Sequence, residues 1–301
     1  MISLNEVKKS FEEVKAVDGI TFSAVEGEVF GLLGPNGAGK STTIKMIMNI
    51  LAPDSGEILF DGKKLSEKYK NNIGYLPEER GLYKKVKVND ILLYFSSLKD
   101  YPKQKAQKNI DYWLERFDLM EWKHAKVSEL SKGMSQKIQF ITAVAHDPRI
   151  MFFDEPFSGL DPVSADALKE SILDLGKLGK TILFSTHIMD HAEKLCTKIM
   201  IINKGKEVVS GSMEKIKNDH GKQSITLEFD GDGTFIKDLD YVNNVISYPR
   251  YVELELKSMD MAGKFLADSA NRINIRRYET QTPSLHKIFI NLVGKKENVN
   301  A

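Results

Sequence analysis

Residues Gly34-Pro35-Asn36-Gly37-Ala38-Gly39-Lys40-Ser41 fit the spacing G-x-x-x-x-G-K-[ST]. Its chemistry is the holding of a polyphosphate. The glycines let the backbone curl so that successive N–H groups point inward at phosphate oxygens. A helix starting near Lys40 adds its positive dipole end. Lys40 can then reach the β- and γ-phosphates of a nucleoside triphosphate, and the hydroxyl of Ser41, followed by Thr42, can ligate Mg²⁺. A second group of candidates is carboxylic. The apolar run Ile150-Met151-Phe152-Phe153 ends in Asp154-Glu155. At the carboxyl end of a parallel strand both acids face a ligand crevice. There Asp154 suits Mg²⁺ and Glu155 suits polarising an attacking water. Three further polar motifs accompany them: Leu130-Ser131-Lys132-Gly133-Met134, Ser158-Gly159-Leu160-Asp161 and Ser185-Thr186-His187.

Each motif must be carried by an element. The apolar run Val29–Leu33 reads as a buried strand ahead of the phosphate loop, and Thr42–Asn49 as the helix after it. Strand-like stretches also fall at Ile2–Val7, Gly19–Val25 and Glu28–Leu33. The stretch Glu57–Phe60 reads as a strand entering a hairpin turn at Asp61-Gly62. Helical spacing dominates 86–146, where Ile110, Trp113, Leu114 and Phe117 mark a core-facing stripe. From 150 to 202 strands and helices alternate, and the strands are apolar throughout. That is the pattern of a doubly wound α/β sheet. After the polar stretch Lys215–Gln223, a smaller unit is expected with strands Ser224–Phe229, Tyr251–Leu256 and Ile273–Tyr278. Its helices fall at Met261–Asn271 and Pro283–Val293, and Gly294–Ala301 reads as a disordered tail.

Ordinary structural roles compete with the chemical ones. Ser131 is a good helix cap. Asp161, followed by Pro162, is an ideal cap with proline at the first helical position. His187 and His191 stand i, i+4, but Ile188 follows where a zinc protease needs glutamate, so zinc is not expected. The run Lys84-Lys85-Val86-Lys87 reads as a solvated face.

Composition limits the class. The 301 residues suggest about two domains. Lys plus Arg is 43 and Asp plus Glu is 42, a balance with no nucleic-acid footprint. The single cysteine, Cys196, excludes a disulfide framework and a zinc cluster and fits a reducing cytoplasmic setting. No signal peptide is visible, and no window reaches the roughly 18 apolar residues of a membrane span.

Taken together, the ordered motifs resemble the ATP-binding-cassette (ABC) ATPases over residues 1 to about 215. That resemblance implies an α/β P-loop NTPase core with an inserted helical subdomain near 82–147, in a domain spanning 1–217. A small C-terminal α/β domain follows over 222–294, then a disordered tail at 295–301. It implies ATP-binding roles for Phe11, as the adenine-stacking aromatic, for Gly34, Pro35, Asn36, Gly37, Ala38, Gly39, Lys40, Ser41 and Thr42, and for Ser131, Gly133 and Asp161. It implies catalytic roles for Glu155, His187 and Glu78, with Mg²⁺ held by Ser41, Asp154 and Glu78. Two departures stand out. The signature Leu-Ser-Gly-Gly-Gln appears as Leu-Ser-Lys-Gly-Met at 130–134, keeping Ser131 and Gly133. Glu78 stands where the family has glutamine. It is still a hard oxygen donor, but it adds negative charge near the γ-phosphate. The segment Leu76-Pro77-Glu78-Glu79-Arg80-Gly81-Leu82-Tyr83 is similar to the sodium- and drug-export ATPases. The cofactors implied are ATP and Mg²⁺. The implied partners are a transmembrane permease subunit and a second copy, or a paralogous ATPase subunit, with no nucleic acid. The implied location is cytoplasmic, peripheral on the inner face of the cell membrane. The competing reading is a soluble ABC ATPase acting in DNA repair or translation. Those carry tandem cassettes, coiled-coil arms or zinc cysteines.

Overall fold

A computed structural model describes residues 1–79, 81–220, 224–281 and 284–298. The chain divides into two compact units, Met1–Met213 and Glu214–Ala301. Arg80 and Pro283, from motifs noted above, lie outside the described residues, as do 299–301 of the expected tail.

The first unit opens with β1 (Ile2–Phe11) and β2 (Val14–Ala24), an antiparallel hairpin closed by Phe11 pairing Val14. The buried strand β3 (Val29–Leu33) leads through the glycine-rich loop into α1 (Lys40–Ile47). Next come β4 (Ser55–Phe60), the one-turn α2 (Glu67–Lys70) and β5 (Ile73–Leu76). The expected tight turn forms at Asp61-Gly62, both residues having positive φ, and Phe60 and Lys63 exchange backbone hydrogen bonds across it. The pairing ends at that bridge, and the long partner of β4 is β1. Phe60 is buried in the core.

A helical lobe follows, with α3 (Val88–Ser97), α4 (Lys103–Arg116) and α5 (Lys132–Val144). Its core is aromatic. Trp113, Phe117 and Phe140 meet at centroid distances of 5.5–5.9 Å, and Phe140 reaches Phe153 of the sheet at 5.3 Å. The expected stripe Ile110, Trp113, Leu114, Phe117 is buried. The alternating half then runs β6 (Ile150–Asp154), α6 (Pro162–Lys177), β7 (Thr181–Thr186), α7 (Met189–Leu195), β8 (Lys198–Asn203) and β9 (Lys206–Ser212).

Six strands form the central sheet in the order β5-β6-β7-β3-β8-β9, parallel except for β9. A separate antiparallel sheet has the order β2-β1-β4. One face of the central sheet, with Phe30, Leu32, Phe152, Leu183 and Met200, shares a core with α1 and the antiparallel sheet. On the other face α5 packs through Phe140 on Phe153, and Phe157, in the turn after β6, lies between Phe184 and His191 of α7. Both faces are covered, which is why these strands read as unbroken apolar runs. The order places β3, β6 and β7 side by side, so the phosphate loop, Asp154-Glu155 and His187 leave the sheet at the same end.

The second unit begins within α8 (Met213–His220), a helix that the polar composition of Lys215–Gln223 concealed. It contains β10 (Ser224–Asp230), β11 (Val242–Ser247), β12 (Val252–Leu256), α9 (Ala262–Ala270), β13 (Asn274–Gln281) and α10 (Leu285–Asn298). The strands pair antiparallel in the order β11-β12-β10-β13 over a core of Ile225, Leu227, Leu254, Phe265 and Ile273. Helix α10 continues to Asn298, into the segment expected to be disordered.

Candidate functional site

The glycine-rich loop is shaped by positions only glycine fills. Gly37 and Gly39 have φ of 77° and 107°. A Cβ on Gly39 would stand 2.3 Å from the Ala16 carbonyl, and one on Gly34 would stand 2.1 Å from the Ile202 carbonyl. The neighbouring strands thus hold the loop from below. Lys40 opens α1, with Gly39 as its cap in the left-handed region. No side chain takes up the first N–H groups of α1, so they are left to an incoming anion.

Lys40 is buried. Its Nζ donates to the carbonyls of Gly34 at 2.8 Å and Pro35 at 3.1 Å, and stands 3.4 Å from Glu155 Oε1. Ser41 Oγ donates to Asp154 Oδ1 at 3.0 Å and lies 3.5 Å from Glu78 Oε2. Ser185, one strand over on β7, donates its hydroxyl to Asp154 Oδ1 and accepts the Glu155 backbone N–H at 3.1 Å. Glu155 has a φ of 48°, a strained conformation for a residue with a side chain. His187 Nδ1 lies 3.0 Å from Glu155 Oε1. Burial pushes the Asp154 carboxyl pKa up, a shift opposed by the Ser185 and Ser41 hydroxyls and reinforced by the charges of Glu78 and Glu155. Tyr75 beneath them is pushed up to about 12, first by burial and then by Asp154 and Glu78. Two carboxylates on the Ser41 hydroxyl, with Glu155 next in the chain to one of them, make a site that favours added positive charge.

The structure therefore brings together the loop, Glu78, Asp154, Glu155 and His187. Asn36, Gly37, Gly39, Lys40, Ser41, Thr42, Glu78 and Glu155 line one open cavity of about 200 Å³. Pro35 accepts from Lys40, and Ala38 is buried beneath the loop. Ser131, Gly133 and Asp161 form a second cluster and are not among that lining. Ser131 caps α5, accepting the Met134 N–H at 3.2 Å. Asp161 caps α6, accepting the Ser164 N–H at 2.9 Å, which holds its carboxyl below the usual range. A Cβ on Gly133 would come within 3.5 Å of Asp161 Oδ2, so the two caps adjoin. Gln136 of α5 donates to the Ser158 carbonyl, joining the 130–134 segment to the 158–161 turn. Phe11 does not line the phosphate cavity and is not strand core either. Its ring is 47% exposed, with the Lys9 ammonium 5.8 Å from its centroid.

The residue that the motifs named without giving it a role is Ser185, which holds both acids. Its only signal was a hydroxyl inside an otherwise apolar strand end. His191 meets Phe157 edge to face at 4.6 Å, and among the described residues no group of three His, Cys, Asp or Glu side chains is arranged to hold a metal by itself. The metal test is therefore specific to the phosphate site, where a magnesium ion takes one or two protein oxygens and leaves the rest to phosphate and water. Asp154 Oδ2 is buried with no hydrogen-bond partner, beside the Ser41 hydroxyl and Glu78. An orphaned buried oxygen in a hard, anionic oxygen cluster fits Mg²⁺.

Comparison with known proteins identifies the family. Residues 17–158 match the ABC transporter family model, and residues 211–293 match the C-terminal domain of DrrA1-3-like ATP-binding proteins. The chain is 44% identical over 294 residues to the uncharacterised ABC transporter ATP-binding protein YhaQ of Bacillus subtilis, covering 98% of this chain and 99% of that one. It is 32% identical to the linearmycin resistance ATP-binding protein LnrL of the same species, over 98% of this chain and 99% of the relative. A solved ATP-binding subunit of an ABC transporter superposes with a TM-score of 0.68 at 30% identity, over 73% of this chain and 92% of that one. The fold and site define a P-loop ATPase of the cassette type. The chain belongs to the ATP-binding proteins of ABC transporters, with a DrrA-like C-terminal domain. It is the ATPase component of a transporter, and among the described residues no helix is long and apolar enough to cross a membrane.

Proposed function

We propose that the chain is the ATP-hydrolysing subunit of an ABC exporter, of the sodium- or drug-efflux kind. It works as a dimer on the inner face of the membrane, beneath a separate membrane-spanning permease. The resistance named for one relative supports the outward direction. The observation that carries the dimer is the separation of two half-sites on one chain. The phosphate cavity has its lysine, serine and acids. The exposed cap Ser131, with its hydroxyl proton still available, stands beside Gly133 and Asp161 and outside that cavity's lining. A second copy, turned so that its Ser131 meets the γ-phosphate held by the first copy's loop, completes both sites.

The roles then follow from the atoms. Lys40 leaves the carbonyls of Gly34 and Pro35 for the β- and γ-phosphates, while the loop N–H groups and Thr42 hold the phosphate oxygens. Ser41, Asp154 and Glu78 would hold Mg²⁺, which when bound neutralises phosphate charge. Glu155, released from Lys40, is free to accept a proton from the attacking water, and His187 orients it through Nδ1. Phe11 offers an exposed π face to adenine.

Ser131→Arg tests this reading. The substitution lies outside the phosphate cavity, so nucleotide affinity measured by fluorescent-nucleotide titration should stay near wild type. ATPase activity should be largely lost because the bulky side chain blocks closure. Unimpaired turnover in Ser131→Arg, with turnover per subunit constant down to high dilution, refutes the dimeric site.

A further inference from the structure

The run Lys84-Lys85-Val86-Lys87 does not stand alone in the fold. The backbone of 84–89 pairs with that of 123–128: Val88 N–H donates to Ala125 O at 3.0 Å, Val127 N–H to Val86 O at 3.0 Å, and Ser128 N–H to Lys84 O at 2.9 Å. Lys87 and Lys126 are direct partners in an antiparallel bridge. The first two bonds flank that pair, so it is of the non-hydrogen-bonded type, in which facing side chains come closest. Like charges placed directly opposite are destabilising. Here two lysines are held at that spacing, and both are exposed.

The surroundings do not relieve them. Residues 83–90 and 123–129 hold five lysines against two carboxylates, Asp90 and Glu129, whereas the whole chain is balanced at 43 to 42. Lys123 is taken by Asp111 at 2.7 Å. Among the described residues no ion pair reaches Lys84, Lys85, Lys87 or Lys126. Glu121, the next nearest acid in sequence, accepts the Trp122 indole N–H. His124 adds a further exposed nitrogen. Near this basic ribbon stand large exposed side chains: Tyr83 at 61%, Tyr94 of α3 at 48% and Leu98, which caps α3, at 56%. Tyr83 and Tyr94 meet edge to face at 6.5 Å.

Exposed lysines at repulsive spacing, flanked by tyrosines and leucine, match the chemistry of a bilayer interface. Anionic headgroups neutralise the lysines, and amphipathic rings settle at headgroup depth. A site for a free small anion would be concave and enclosed, and this ribbon is open. We propose that the Lys87–Lys126 ribbon, extended by Lys84 and Lys85, binds the phosphates of anionic phospholipids and seats this chain directly on the membrane surface. This contact is additional to any made through a permease and needs no nucleotide.

The test is co-sedimentation of the full chain, without nucleotide and at low ionic strength, with phosphatidylcholine vesicles and with equimolar phosphatidylcholine–phosphatidylglycerol vesicles. Wild type should pellet with the anionic vesicles and not with the neutral ones. Each lysine lost should weaken partitioning about fivefold. The Lys85→Gln/Lys87→Gln/Lys126→Gln variant should therefore lose about a hundredfold, and the matching triple arginine variant should retain binding. ATPase activity of the glutamine variant in vesicle-free solution should equal wild type, so a failed lipid result leaves the ATPase reading untouched. If the triple variant melts early, Lys126→Gln alone, with its fivefold loss, decides. Equal partitioning to both vesicle types, undiminished binding by the glutamine variant, or complete displacement by inorganic phosphate at matched ionic strength each overturns the proposal. The last result would mark a small-anion site instead.

Discussion

Glu155→Gln changes one atom type at the point where the site is most tightly wired. In the nucleotide-free chain the carboxylate stands 3.4 Å from Lys40 Nζ, and the two side chains are only 7% and 6% exposed. At an effective dielectric of about 20, that separation corresponds to roughly 5 kcal/mol of gross attraction. Most of it offsets the cost of drying both charges. The net worth of such a charged contact is about 1.5–3 kcal/mol. The amide cannot supply it, but Lys40 keeps two carbonyl acceptors, at 2.8 and 3.1 Å, so the fold survives. The unliganded chain should lose about 1–3 kcal/mol of stability. ATP must draw Lys40 away from its partner to bind, so removing that competitor should tighten binding by about 10- to 150-fold. Hydrolysis should fall by about 10²- to 10⁴-fold, because an amide does not accept the proton of water. Fluorescent-nucleotide titration gives the affinity, single-turnover assays the chemistry and thermal melts the stability. Normal turnover would refute Glu155 as the base. Weakened ATP binding would refute the competition for Lys40.

Three other perturbations probe separate parts of the structure. Glu78→Gln leaves an oxygen near Ser41 and removes one negative charge, so hydrolysis should persist with a changed Mg²⁺ dependence, read from activity against metal concentration; complete inactivity would contradict the supporting role given to Glu78. Gly39→Ala forces a Cβ to within 2.3 Å of the Ala16 carbonyl at a φ of 107°. It should cost about 2–4 kcal/mol in denaturant unfolding and abolish nucleotide binding. His146, buried with Nε2 3.1 Å from the Ile73 carbonyl, has its pKa lowered from 6.5 to about 4 by burial. The unfolded chain therefore takes up a proton between pH 6.5 and 4 that the folded chain refuses, and stability is full above that window and falls as pH drops through it. At pH 5 this one group withdraws about 2 kcal/mol, which His146→Gln should abolish in urea titrations compared at pH 7 and pH 5.

What could be read ahead of the structure was whatever a short stretch of chain decides alone. Val29–Leu33 is apolar because parallel strands are dry on both faces, and Lys40 and Asp154 sit at the ends of such runs. The cap residues Ser131 and Asp161 were legible because capping is a three-residue affair. What stayed hidden was set by distant partners. The strand β4 does enter its tight turn, but the strand that pairs along its length, β1, lies some fifty residues earlier. Strands β9 and β11 carry polar residues on an edge or open face and lack the apolar signal. The two contacts of Ser185 depend on β6 and β7 lying side by side, a register that spacing within either strand cannot express.

That hydroxyl has a mechanical consequence. One oxygen, fixed on β7, donates to the carboxylate of Asp154 and receives the backbone of Glu155, while His187 two residues on touches the side chain of the same glutamate. The two acids are thus indexed to a neighbouring strand rather than to each other. Any displacement of the end of β7 is transmitted to both at once, with no slack between them. In the proposed mechanism, a movement starting at the γ-phosphate and reaching His187 would arrive at the carboxylates of Asp154 and Glu155 in the same stroke. The end of β7 works as a common crank for two functions that the sequence writes as adjacent letters.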